Sequence, residues 1–189
     1  METTSAFGFT LLELLITLAL MTIGLTIGVP SLLEILVEHR VNNAIIQLNQ
    51  SIILARTLAI QKEESIIICP LTASGRCETN WKQGYSIFID KNDDRKYQEK
   101  IDTLISRSQH INNKDRLTYS GGRMLKFNPL GHLSGRAGTF RYCPLADSES
   151  VYARAIVVSL SGRPRQSADI DGDGKDELAG ANDHIRCLE

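Results

Sequence analysis

FTLLELLITLALMTIGLTIGVPSLLEILVEHRVNNAIIQLNQSIILARTLAIQK, residues 9–62, holds two different apolar patterns in one continuous helical reading. From Phe9 to Val29 there are 21 residues and one charge, Glu13. At ~1.5 Å per residue, a helix of that length just crosses a hydrocarbon layer of ~30 Å. The run is too long for the apolar core of a cleaved secretory signal, no Ala-x-Ala site follows it, and the helical pattern continues beyond it. After Pro30, apolar residues recur at Val41, Ile45, Leu48, Ile52, Ala55 and Ala59, a spacing that places them on one stripe. The expectation is a single helix from Phe9 to Lys62, apolar all round in its first half and amphipathic in its second. The first half suits lipid or a helical bundle, and the second suits docking on a sheet. Pro30 lacks an N–H and crowds the carbonyl four residues back, so a kink or loosening is expected there, helped by Gly24 and Gly28.

The remainder of the 189-residue chain is long enough for one compact domain, and 42% apolar content allows a real core. A net charge of −1 gives no global attraction to nucleic acid or acidic lipid, so any such binding must come from a local patch. Beyond Lys62 the pattern changes to short β-rich runs separated by turns rich in Gly, Asn and Asp. The expected strands are Ser65–Cys69, Tyr85–Ile89, Leu104–Ser106, Leu117–Tyr119, Met124–Phe127, Thr139–Cys143 and Ala153–Ser161. The last is the longest and reads as a central strand. One helix laid on an antiparallel sheet makes the fold class α+β.

Cys69, Cys77, Cys143 and Cys187 form no Cys-x-x-Cys pair and have no histidine at zinc-ligand spacing. They read as two disulfides in an exported protein, the alternative being four buried thiols in a cytosolic one. Four cysteines allow three connectivities. The expected one joins Cys69 to Cys77 across a short Pro/Gly loop and Cys143 to Cys187, tying the last residues to a strand.

Glu13 is the anomaly of the apolar run. A carboxylate there is costly and marks a functional position, unless it lies close enough to the helix start to reach water. Here the sequence resembles a family. Gly8-Phe9-Thr10-Leu11-Leu12-Glu13 is similar to the prepilin peptidase site of type IV pilins and type II secretion pseudopilins. The resemblance implies cleavage between Gly8 and Phe9, N-methylation of Phe9, and a glutamate fifth in the mature chain at Glu13. Pro30 matches the mid-helix proline common in pilins. Met1–Gly8 carries Glu2 as its only charge, where pilin leaders usually carry Lys or Arg. In a fibre the Glu13 carboxylate would pair with a neighbouring subunit's N-terminal amine, since either charge alone in an apolar bundle is costly. The implied organisation is a leader over residues 1–8, a transmembrane or fibre-core half-helix over 9–36, and a periplasmic or extracellular head over 37–189. The implied partners are other pilins, the prepilin peptidase and the inner membrane, which the subunit would span once before joining a surface pilus. Within the pilin-like proteins the head resembles the GspH/FimT family, on Leu125-Lys126-Phe127-Asn128-Pro129-Leu130-Gly131 and Thr139-Phe140-Arg141-Tyr142-Cys143.

Ser161-Gly162-Arg163-Pro164-Arg165-Gln166-Ser167 follows the last strand. Pro164 holds Arg163 out of helical geometry, and in an extended chain residues i and i+2 point the same way, about 6.5–7 Å apart. Two guanidinium forks set in that way suit bidentate phosphate contact, unless they pair with nearby acids as a solvated turn. Gly162 would let a backbone approach, and Gln166 could donate further bonds. The string resembles the Gly-Arg-x-Arg motif of FimT-type minor pilins, which implies capture of double-stranded DNA for natural transformation through Gly162, Arg163, Arg165 and Gln166. Arg154 and Arg186 are candidate extensions of the patch, with Lys126, Arg136 and Arg141 in the preceding strands.

Asp169, Asp171, Asp173, Asp176 and Glu177 come directly after, and would repel DNA unless they point away or hold a cation. Asp169-x-Asp171-x-Asp173-Gly174 matches the first half of an EF-hand loop, but Gly180 stands where the bidentate Glu belongs. That excludes a full EF-hand and leaves a looser calcium site or a plain Asp/Gly turn. Asp90-x-Asn92-x-Asp94 is a weaker echo and reads as a turn. His39, His110, His132 and His184 are scattered, and no nucleophile elbow, P-loop or zinc-protease string occurs, so no enzyme is expected. Two readings remain: a DNA-binding minor pilin, or a structural or initiating minor pilin or secretion pseudopilin that binds no DNA.

Overall fold

The computed structural model describes residues 10–108, 111–180 and 183–187; the side chains of Ile27, Pro30 and Ser31 are also outside the description. The chain divides into two compact units, Met1–His39 and Arg40–Glu189. One helix, α1 (Leu11–Lys62), belongs to both and continues through position 30. Its start is capped by Thr10, whose side-chain oxygen accepts the Glu13 N–H at 3.3 Å while its carbonyl accepts the Leu14 N–H at 3.2 Å. It ends at Glu63, which takes the left-handed conformation with φ of 55°.

In the first unit the large apolar side chains point outward on every side: Leu11, Leu14, Leu18, Met21, Leu25 and Leu32 are all exposed. A helix apolar all round has no stable surface in water and needs lipid or other helices. Among the described residues no helix is long and apolar enough to cross a membrane. The run Phe9–Val29 is described only in part, since Phe9 and the Ile27 side chain fall outside.

The second unit is built on the stripe Val41, Ile45, Leu48, Ile52, Ala55 and Ala59, all buried. Opposite it stand two four-stranded antiparallel sheets, where the sequence suggested one. The first takes β1 (Ile66–Cys69), β2 (Ser86–Ile89), β3 (Thr103–Arg107) and β5 (Leu125–Phe127) in the order β3-β2-β1-β5. The second takes β4 (Asp115–Tyr119), β6 (Gly138–Pro144), β7 (Arg154–Val158) and β8 (Pro164–Gln166) in the order β4-β6-β7-β8. The longest strand is therefore β6, not β7. β7 stops at Val158 because Ser159 turns the chain, and Leu160 is left exposed in that turn. β7 is nevertheless interior, between β6 and β8.

Trp81 is buried and packs edge-on against Phe140 at 4.9 Å and Tyr119 at 5.5 Å between ring centroids. Each sheet also carries a second, smaller cluster. Ile67, Cys69, Cys77 and Phe88 form one, with Leu71, Tyr97 and Met124 against it. Cys143, Ala153, Ala155 and Ile185 form the other, with Leu178 and Cys187 against it. A disulfide runs through each: Cys69 is bonded to Cys77, and Cys143 to Cys187.

Two ion pairs on buried carboxylates stand out among the described residues. Asp115, fully buried, accepts both Nε and Nη2 of Arg40 at 2.8 and 2.9 Å and the Tyr142 hydroxyl at 2.8 Å. The bidentate bond holds the Arg40 guanidinium above its ordinary pKa, and burial followed by the Asp115 bond pushes Tyr142 up. Lys126, also buried, binds Asp90 at 3.0 Å and reaches Asp93, whose carboxyl it holds below the usual range. Asp90 accepts the Asp94 and Arg95 N–H groups, which makes the Asp90–Asp94 string a turn.

Candidate functional site

β7 and β8 form a hairpin at the edge of the second sheet, with Val158 opposite Pro164 and Val157 opposite Arg165. An edge position is where a proline is tolerated within a sheet, because one side of the strand needs no donor. The turn between them closes through Ser159 N–H to the Arg163 carbonyl at 3.2 Å and Gly162 N–H to the Ser159 carbonyl at 2.8 Å. Among the described residues, the one strand not expected from the sequence is β8, whose composition, Pro-Arg-Gln, carries no β signal.

The candidate DNA-binding residues separate into three groups. Arg163, Arg165 and Gln166 are exposed. Among the described residues the Arg163 guanidinium has no hydrogen-bond or ion-pair partner, while Arg165 Nη2 donates to the Leu178 carbonyl. Gly162 is buried, with φ of +76°, and a Cβ there would collide with the Gly131 carbonyl oxygen and press on Phe127 and Arg56. The backbone it admits is the protein's own, so Gly162 shapes the turn. Arg154 is withdrawn as well: its Nη1 donates to the carbonyls of Val151 and Ala153 and lies 3.6 Å from Asp176. Lys126 is taken up by its buried ion pair. Arg186 is exposed and joins Arg116, Arg141 and His184 around a recess of about 390 Å³, which Asp183 also lines. Arg116 carries no signal in its local sequence. Its register, opposite Cys143 and two residues from the Thr118–Arg141 pair, brings it beside Arg141.

The acids after β8 also divide. Asp169, Asp171 and Asp173 are exposed in the loop, while Asp176 and Glu177 are buried. Asp176 accepts the Ser167 hydroxyl at 2.6 Å. One carboxylate oxygen from each of Asp169, Asp171, Asp173 and Glu177 lies within 4.8 Å of the others. Glu177 was not among the ligands expected from the sequence, because nothing in the local string reveals that it turns inward. Gly8 and Phe9 lie outside the described residues. Glu13 is exposed in the first turn of α1, where a carboxylate also favours the positive end of the helix dipole. Thr10-x-x-Glu13 has the spacing of a capping box, a local role for Glu13 beside the one implied by the resemblance.

Residues 44–162 match the family model described as type II transport protein GspH. The chain belongs to the GspH family. No curated protein matches the sequence of this GspH-family chain. Among solved structures it is similar to the type IV minor pilin FimU of Pseudomonas aeruginosa, with a TM-score of 0.53 and 18% identity over 69% of this chain and 90% of that one. It is also similar to the minor pseudopilin EpsH from the type 2 secretion system of Vibrio cholerae, with a TM-score of 0.51 and 13% identity over 70% of this chain and 99% of that one. At these identities the likeness concerns the fold: a long N-terminal helix packed on antiparallel sheets. The GspH match ends at Gly162, so Arg163, Arg165 and the acidic loop lie beyond it.

Proposed function

We propose that this GspH-family protein is a non-enzymatic minor pilin that captures double-stranded DNA through Arg163 and Arg165. The reading takes Gly8–Phe9 as the prepilin peptidase site, Phe9 as the methylated mature terminus and Glu13 as the partner of a neighbouring subunit's amine. The subunit is held in the inner membrane before assembly and then joins a fibre, where outward Leu, Ile and Met side chains meet those of other subunits. The exposed apolar half of α1 supports this, because it needs a lipid or helical environment.

The observation that carries the DNA reading is the pair of exposed arginines flanking Pro164 on an edge hairpin, with Arg163 unpartnered among the described residues. Arg116, Arg141 and Arg186 offer further guanidinium groups around one recess. Contacts of this kind are phosphate-led, so binding is indifferent to sequence and falls steeply with salt. With so few contacts each subunit binds weakly, and several copies on a fibre gain by avidity. A second reading, a structural or initiating subunit of a pilus or secretion pseudopilus, is favoured by two contacts that account for the motif without DNA. Gly162 fits the Gly131 turn, and Arg165 holds the Leu178 carbonyl.

Binding of the full chain in detergent to a DNA duplex, titrated over salt, separates the two. Capture predicts weak binding whose salt slope shrinks by about one for each phosphate contact removed in Arg163→Ala or Arg165→Ala, with unfolding temperature unchanged for Arg163→Ala. If both variants bind as the parent does, capture is refuted and the structural reading stands.

A further inference from the structure

Asp169-Ile170-Asp171-Gly172-Asp173-Gly174-Lys175-Asp176-Glu177 places carboxylates at positions 1, 3, 5 and 9 of a tight loop. Gly172 and Gly174 take φ of +81° and +87°, which lets the chain coil back on itself. Each aspartate is oriented by a backbone donor. Gly172 and Gly174 donate to the two oxygens of Asp169 at 2.7 and 3.0 Å, Asp173 N–H donates to Asp171 at 3.2 Å, and Lys175 N–H to Asp173 at 2.8 Å.

Such a cluster would be unremarkable on an exposed turn, were it not for Glu177. Its side chain is fully buried. Oε2 accepts the Ile170 N–H at 2.7 Å, but Oε1 is buried and makes no hydrogen bond. His184 Nε2 stands 3.6 Å from it and 3.7 Å from Asp173, ion-pair distances if the imidazole is protonated but too long for a hydrogen bond. Burying a carboxylate with an unmade bond is costly, and gathering three more carboxylates within 4.8 Å of it compounds the cost by repulsion.

We propose that Asp169, Asp171, Asp173 and Glu177 bind a calcium ion. The donor set is all oxygen and anionic, which suits a hard, flexible cation of six to eight ligands, with backbone carbonyls or water completing the shell. A second grouping, Asp171, Asp173 and His184, mixes in a nitrogen that suits a transition metal, but it leaves the orphaned Glu177 oxygen unanswered. Glu177 stands at a crossing: it bridges to Ala168 at the exit of β8 and to His184 in the C-terminal segment. The ion therefore ties the loop to both, and offsets the acids that follow Arg165. The site does not depend on the DNA reading.

The test uses the full chain in detergent, freed of metal with a chelator, and calcium chloride followed by calorimetry and by thermal unfolding. One calcium per chain is expected, with a dissociation constant around 10⁻⁴–10⁻³ M, as in extracellular modules, and an unfolding temperature that rises with calcium. Asp171→Asn changes an exposed side chain and removes one charge from the cluster, so the metal-free unfolding temperature should be no lower than the parent's while calcium binding weakens at least about tenfold. Glu177→Gln keeps an acceptor for the Ile170 N–H, so it should be at least as stable as the parent without metal yet gain nothing from calcium. Absence of any heat or shift at about 10 mM calcium, well above the range for such sites, overturns the proposal. So does an undiminished calcium response in both variants, or a site that takes zinc through His184 and refuses calcium.

Discussion

At Gly162 the chain needs a left-handed backbone and an empty Cβ position at once, because the Gly131 carbonyl lies where a methyl group would go. Both demands are met only by glycine. Gly131 itself has φ of +73°, its N–H donates to the Asn128 carbonyl at 2.8 Å, and its own carbonyl accepts Arg56 Nε at 3.1 Å. Two tight turns, one after β5 and one after β7, are thus clasped together against α1. Gly162→Ala should destabilise the protein by about 2 kcal/mol or more, combining strain at positive φ with displacement of the Gly131 turn. Urea unfolding of the full chain in detergent measures this. A loss below about 0.5 kcal/mol would mean that the Gly131 turn yields freely. Arg163 and Arg165, the arginines of the proposed DNA contact, follow at once, so this substitution disturbs their presentation through the turn, whereas Arg163→Ala removes a side chain and leaves the turn alone.

Among the elements, α1 and β4 are joined by the Arg40–Asp115 pair, with Tyr142 of β6 as the third member. Asp115 is fully buried and the Arg40 side chain is 28% exposed, so cutting the arginine strands a charge in the interior with one hydroxyl for company. Arg40→Ala should cost about 3 kcal/mol, the low end for breaking a buried pair. Asp115→Asn should cost less, because an amide still accepts from Tyr142, and the double variant should lose less than the sum. Strict additivity in chemical unfolding would show that the three groups do not act as a unit. None of this was legible in the sequence, where Arg40 and Asp115 are separated by 75 positions. The helical stripe was legible, since its six apolar residues recur at the helical period and every one is buried. Seven of the strands were legible from β-rich runs between turn residues. Their division into two sheets was not, because the choice of partner is made by long-range packing that no local pattern records. β8 was invisible for a different reason: its pairing comes from the Gly162 turn, not from its own side chains. Glu177 gave no sign of its place because acids are expected on the surface, and its burial follows from the path of the C-terminal segment.

On the scale of the molecule, each sheet has a small apolar cluster besides the main core, and each cluster contains a disulfide. The two bridges do different work because they close different lengths of chain. Cys69–Cys77 has a sequence separation of 8 and restrains a local loop. Cys143–Cys187 has a separation of 44 and holds the C-terminal segment, with Leu178 and Ile185, over Ala153 and Ala155. In the chain-entropy picture, losing the first costs ~2.5 kcal/mol and losing the second ~4 kcal/mol. The replacement Cys143→Ser with Cys187→Ser should therefore lower stability more than Cys69→Ser with Cys77→Ser. It should also act locally before the whole unfolds. Freed at its end, the segment carrying Leu178, His184 and Ile185 should open on its own, and amide exchange over residues 176–187 should quicken while β1 and β2 stay protected. Arg165 would lose its hold on Leu178, and Glu177 would become accessible to water. Equal losses for the two pairs, or unchanged exchange over 176–187, would mean that the apolar cluster alone seats the segment, and that the bridge from β6 merely decorates it.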